Sequence, residues 1–145
     1  MSDNEDDQGA DNIYENDCED FDDYKRDGYH PVYLGERFMN ERYTVLQKLG
    51  WGHFSTVWLA EDRQYGQPNS NSKEKYVALK IQKSKESYSE AAQDEIQILK
   101  ALKEAKKKPE WAQAREELKA KGMNLGEDDT YCIEILNNFP HFGIH

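Results

Sequence analysis

With 145 residues, 29 acidic side chains against 19 basic ones and 37% apolar residues, the chain has room for one modest domain, which excludes a large self-contained enzyme. Leu, Ile, Val and Phe number 26, about 18% of the chain and under the roughly 20% below which strongly charged sequences stay unfolded, so part of it is expected not to fold. The formal charge of −10 is concentrated at one end: residues 1–24 hold eleven acids and no Lys or Arg, leaving a net of +1 over residues 25–145. A near-neutral body excludes direct nucleic-acid binding through a basic surface. The acidic start lacks the bases of a signal or transit peptide and no window approaches 18 consecutive apolar residues, so a cytoplasmic or nuclear protein without membrane contact is expected.

Residues 1–27 read as an acidic disordered arm, because Asn, Gly and Asp dominate and the scattered Tyr14, Phe21 and Tyr24 cannot offset the entropy of ordering it. It serves as a solubilising tail or as an electrostatic site for basic peptides. Cys18 in the arm and Cys132 far downstream have no metal-ligand spacing and are expected as free thiols. Composition changes at Gly28-Tyr29-His30-Pro31-Val32, where Pro31 holds its predecessor extended and folding is expected to begin.

Residues 43–49 and 55–61 alternate as strands around Gly50-Trp51-Gly52, which predicts a hairpin turning at the glycines. A polar stretch over 63–75 leads to a third strand at 76–81, giving an antiparallel meander. A helix is expected from Ser87, capped reciprocally with Glu90, to about Lys103. At about 100° per residue, Ala91, Ala92, Glu95, Ile98, Leu99 and Leu102 share one apolar arc, which places Glu95 inside it and Asp94 outside. Residues 103–130 read as a charged, helix-prone insertion with Pro109 in a first turn. Its run Lys106-Lys107-Lys108 is short for an import signal and reads as a solvated helix face. Further strands are expected at 131–136 and from Gly143 to the last residue, His145. His141 and His145 have half a zinc-finger spacing without a cysteine pair, so no metal site is expected.

Gly-x-Gly at a turn lets backbone approach a phosphate, although most such turns are only turns. Here it is followed by Val57, by Val77-Ala78-Leu79-Lys80 on the next strand and by an acid in a helix's apolar arc. Lys80 in a core-like strand needs a counter-charge, Glu95 needs the opposite, and a Lys80–Glu95 pair satisfies both. Such a lysine can hold ATP phosphates. Leu49, Val57 and Ala78 are core residues or an apolar roof over adenine.

With these motifs, residues 28–145 resemble the amino-terminal lobe of a eukaryotic protein kinase. The stretches 28–32, Arg42-Tyr43, 48–59 and Asp94-Glu95-Ile96 resemble more narrowly the kinases that phosphorylate serine/arginine-rich splicing factors. Ser55 stands at the third glycine position of the general pattern, as it does in that family. The resemblance implies an α+β fold, a five-stranded antiparallel sheet with one principal helix. It also implies Mg²⁺-dependent transfer of the ATP γ-phosphate to serines of Arg/Ser-rich proteins. By resemblance, Leu49, Gly50, Trp51, Gly52, His53, Phe54, Ser55, Thr56 and Val57 cover the nucleotide with Ala78, Lys80 contacts its phosphates and Glu95 anchors Lys80. Trp51 and His53 carry no chemistry of their own.

The 145 residues contain no His-Arg-Asp loop and no Asp-Phe-Gly metal ligand, so no catalytic residue and no Mg²⁺ ligand is assigned. The expectation is a lobe truncated before the hinge, with the larger lobe absent, that does not turn over alone. Two alternatives remain: a non-catalytic nucleotide-binding or regulatory fragment, and an acidic-tail protein that binds basic Arg/Ser-rich segments.

Overall fold

A computed structural model describes residues 19–126 and 132–143. They fall into two compact units, one running up to Lys85 and including the residues from Phe142 on, the other Glu86–His141.

The first unit is a four-stranded antiparallel sheet in the order β1 (Arg37–Phe38), β2 (Tyr43–Gly52), β3 (Ser55–Asp62) and β4 (Tyr76–Gln82). The meander over β2, β3 and β4 is the one the alternation predicts, whereas β1, two residues long, carries no periodic signal. Along β3, Thr56, Trp58, Ala60 and Asp62 are buried while Val57, Leu59 and Glu61 are half-buried. One face of the sheet therefore carries the core, completed by Tyr29, Phe38, Tyr43 and Val45. Buried Asp62 sits among donors: Arg42 forks onto it at 2.9 and 2.7 Å, the Ser72 hydroxyl donates at 2.5 Å and the Gln64 amide at 3.0 Å. This cluster ties the start of β2 to the end of β3 and to the polar loop beyond.

The chain ahead of residue 28 is also structured where it is described. Phe21–Asp23 forms a 3-10 turn, and the Glu19 carboxylate receives both the Lys48 ammonium and the Tyr24 hydroxyl. The expected start of folding at Gly28 thus falls inside a docked segment. Single contacts hold it, which composition does not reveal.

The second unit holds two helices, α1 (Glu86–Ala105) and α2 (Pro109–Ala120). Helix α1 begins one residue ahead of Ser87, so Ser87 and Glu90 lie within the helix and not at a cap. Its half-buried residues are Tyr88, Ala92, Ile96, Leu99, Leu102 and Lys103, a stripe displaced from the expected arc, and Ala105 at its end. Ala91, Glu95 and Ile98 are exposed. The displacement has a physical cause: Lys103 reaches the Glu134 carboxylate at 2.9 Å and the Ile135 carbonyl at 3.3 Å, so residues 134–135 lie along its side of the helix. A wheel that counts Lys as polar places that side in solvent. In α2, Pro109 stands in the first turn as the sequence predicts.

The five-stranded count is not met among the described residues. Residues 132–136 form no strand, and Ile133 and Leu136 are exposed. Tyr131 and the Ile144-His145 end lie outside the described residues, as does Cys18, while Cys132 is an exposed free thiol. No helix among the described residues is long and apolar enough to cross a membrane.

Candidate functional site

Two irregularities in β2 build the open face of the sheet. Val45 pairs with Ala60 and Gln47 with Leu59, leaving Leu46 as an extra residue; Lys48 pairs with Trp58 and Gly50 with Val57, leaving Leu49 extra. Each bulge reverses the side to which the following residues point. Gly50 therefore joins Val57 and Lys80 in one row across three strands, flanked by the rows Gln47–Leu59–Ala78 and Gly52–Ser55–Gln82.

That face brings together Gly50, Gly52, Val57, Ala78 and Lys80. Ala78 and Lys80 are exposed and Val57 is half-buried, so the face lies open beside the hairpin. Lys80 is exposed, so its ammonium lies at the open face of the sheet and is not embedded in the core as expected. The turn also lies elsewhere than expected. Gly50, Trp51 and Gly52 belong to the β2 ladder, and the connection to β3 is made by His53 and Phe54.

Neither glycine is required by the protein's own geometry. Neither Gly50 nor Gly52 has a positive φ, and a Cβ at either would meet no atom within 4 Å. The space over them is open and stays open only while no side chain occupies it. Leu49 and Phe54 are exposed at its rim.

Thr56 and Trp51 pair with each other on the opposite side of the sheet, so they do not share the face of Val57 and Lys80. Thr56 is in the core, accepting the Trp58 indole N–H at 3.0 Å. Ser55, on the Gly52 row, is buried. Glu95 lies on α1, in the other compact unit, and is exposed, outside the half-buried stripe of that helix. Asp94 is exposed, as expected.

Sequence reasoning missed the supports beneath the hairpin. Tyr29, 1% exposed, donates its hydroxyl to the Gly52 carbonyl at 2.7 Å, and the Lys83 amide donates to the Phe54 carbonyl at 2.8 Å. The buried Lys83 ammonium lies 4.1 Å from the Tyr29 ring centre and 3.1 Å from the Asp23 carboxylate. Burial works against the Lys83 charge, but Asp23 and Tyr29 outweigh it and hold its pKa above the ordinary value. Burial pushes the Tyr29 phenol up, which keeps it a donor at neutral pH. Burial likewise opposes ionisation of Glu19, yet the hydrogen bonds from Lys48 and Tyr24 win and lower its pKa. A faint signal existed: Tyr29 and Lys83 flank the strand region as an aromatic and a base at its two entries. A separate depression, lined by Glu61, Asp62, Arg63, Tyr65, Gln67 and Lys75, contains none of the expected site residues.

No family model matches the chain. Among curated proteins, protein kinase dsk1 of Schizosaccharomyces pombe is 50% identical over 125 residues, 86% of this chain and 18% of its own length. The serine/threonine-protein kinase SRPK of Physarum polycephalum is 37% identical over 134 residues, 92% of this chain and 25% of its own. Human SRSF protein kinase 3 is 40% identical over 124 residues, 83% of this chain and 20% of its own. The chain spans a quarter or less of the length of these relatives.

Proposed function

We propose, for a chain whose homologues over most of its length are serine/threonine kinases of the SRPK family, that the open face of the sheet is the ATP-binding surface of a kinase amino-terminal lobe. The observation that carries this reading is the pair of glycines that neither φ nor packing requires, in one cross-strand block with exposed Lys80. A ligand explains the requirement for glycine. Polyphosphate fits it, because bare backbone admits an anion closely and the Lys80 ammonium supplies charge from the neighbouring strand. Val57, Ala78 and Leu49 offer apolar surface for a purine ring.

Bound ATP supplies the phosphoryl group, with Mg²⁺ neutralising its charge. Residues of this chain bind and orient: the glycine face covers the nucleotide, Lys80 holds its phosphates, and Glu95 anchors Lys80. The base and the Mg²⁺ ligands belong to catalytic-loop and metal-binding motifs that the 145 residues do not contain. The substrates of the complete kinase are serines in Arg/Ser-rich proteins. The five-stranded sheet is part of this proposal, with 131–136 taking up strand pairing in the complete kinase. Acidic-arm binding of basic segments finds less support, since Glu19 and Asp23 are already engaged by Lys48 and Lys83.

Calorimetric titration of ATP tests the reading. Lys80→Met is expected to weaken ATP binding at least tenfold, while Asp94→Asn leaves it unchanged. Equal ATP affinity in Lys80→Met and the unaltered protein would sink the assignment. Binding without transfer to an Arg-Ser repeat peptide, even when catalytic-loop sequence is supplied, would leave a regulatory nucleotide-binding module.

A further inference from the structure

We infer that Tyr29 is a positioning residue for the nucleotide: it fixes the Gly52–His53 peptide plane at the hairpin tip, so that the His53 N–H faces a phosphate. The inference rests on the ATP-binding reading above and adds a residue that no glycine or lysine motif contains.

The tip of this hairpin is held by the Gly52–Ser55 rung and by the edge-on contact of the His53 and Phe54 rings at 4.9 Å, and Tyr29 adds a hold from outside it. Gly50 and Gly52 contribute no packing, Leu49 interrupts the ladder, and the connection is two residues long. A peptide beside glycine can rotate between two orientations at small cost, and only one directs its N–H toward a given side. In a trans peptide the carbonyl and the following N–H point in opposite directions. The Gly52 carbonyl is committed to the Tyr29 hydroxyl at 2.7 Å, so the His53 N–H is aimed away from Tyr29. Were the peptide reversed, a carbonyl oxygen would take the place of that N–H and repel an anion.

Tyr29 is itself held from several sides, which suits it to this task. Its amide donates to the Asp23 carbonyl at 2.9 Å, its ring lies 5.5 Å from the Tyr24 ring, and the Lys83 ammonium lies 4.1 Å from its ring centre while pairing with Asp23. Gly28 permits this approach, because a Cβ there would lie 2.0 Å from the Asp23 carbonyl oxygen. Ser84 closes the strap by donating its amide to the Gly28 carbonyl at 3.1 Å. The same Lys83 residue ties the Phe54 carbonyl through its backbone N–H. The carbonyls of Gly52 and Phe54, the residues on either side of His53, are therefore held from outside the hairpin.

Tyr29→Phe removes the hydroxyl and keeps the ring. ATP and adenosine are titrated into the unaltered protein and the variant. The expected result is an approximately tenfold loss for ATP, about what one hydrogen bond contributes, with adenosine affinity unchanged. Loss of both ligands to the same degree would assign Tyr29 a general structural role and overturn the inference, as would no loss for either. An unaltered protein that binds neither ligand would instead remove the ATP-binding reading itself. Should Tyr29→Phe unfold, Asp23→Asn loosens the strap from its exposed edge while keeping the phenol. It is expected to show a smaller loss with the same selectivity for ATP, and equal effects on both ligands would again overturn the inference.

Discussion

The two compact units differ in how they are held. The sheet unit buries Tyr29, Phe38, Tyr43, Val45, Trp58 and Ala60, and its charges Asp62 and Lys83 are buried with partners. The helical unit buries no residue of α1 or α2, and its ion pairs are solvent-exposed, Lys107–Glu104 where α1 passes into the turn that follows it and Lys119–Glu116 on α2. Burial makes individual side chains costly to lose, because each vacated space or orphaned charge stays inside the protein. Exposure lets water replace whatever is removed. The sheet unit should therefore be brittle to point changes and the helical unit tolerant, and the candidate site lies on the brittle one.

The sharpest test of that contrast is Asp62→Ala. It leaves the Arg42 guanidinium, held by the fork at 2.9 and 2.7 Å, without its buried counter-charge, and breaking such a pair costs about 3–5 kcal/mol. Chemical denaturation followed by Trp58 fluorescence should show it. Acid probes the same pair without mutation. Burial raises the Asp62 pKa, but Arg42, Ser72 and the Gln64 amide overcome this and lower it from 3.8 to about 2. A depressed carboxylate pKa contributes stability that is complete above the unfolded value and disappears as pH falls through the folded one. Stability of the sheet unit should thus decline between pH 4 and pH 2 by about 2 kcal/mol from this group, and Asp62→Asn should flatten that decline. An unaltered acid profile in Asp62→Asn would remove Asp62 from the account.

Val45→Ala ranks next. Val45 is 1% exposed and faces Ala60 across the ladder, so truncation costs the transfer of two methyl groups and leaves a small cavity, about 2 kcal/mol together. A denaturation midpoint shift with an unchanged slope is the expected signature. The change lies on the core face and not on the Gly50–Val57–Lys80 row, so ATP affinity of the folded protein should hold.

Much of the sheet unit was legible in the sequence, for a local reason. The β2, β3 and β4 runs are rich in β-branched and aromatic residues, and a side-chain period of two survives within each of β3 and β4. Gly50, Gly52, Val57, Ala78 and Lys80 could be named before the fold was known. Their sharing of one face could not, because it depends on the bulges at Leu46 and Leu49, and an unpaired residue looks like any other in a strand. The glycines misled for a related reason: they read as turn residues, while the turn falls at His53 and Phe54. Strand β1 is two residues long and exists through pairing with Thr44 and Tyr43. Tyr29 and the segment ahead of it were read as the border of a disordered arm, since four or five specific contacts hardly alter composition. In the helical unit, the stripe on α1 follows the partner that Lys103 finds in 134–135, a long-range contact that a helical wheel does not include.

The smallest effect is expected where the tolerant unit carries its most visible ion pair. Lys107 approaches Glu104 at 2.6 Å, close enough to count as a strong bond on distance alone. Both side chains are nonetheless more than 60% exposed, so water and salt screen the attraction and ordering two long side chains offsets much of what remains. Lys107→Ala should change stability by about 0.3 kcal/mol or less, a difference that vanishes at high salt. A loss above about 1 kcal/mol would show that the helical unit hides a dependence its exposure does not reveal, and the contrast between the units would have to be redrawn.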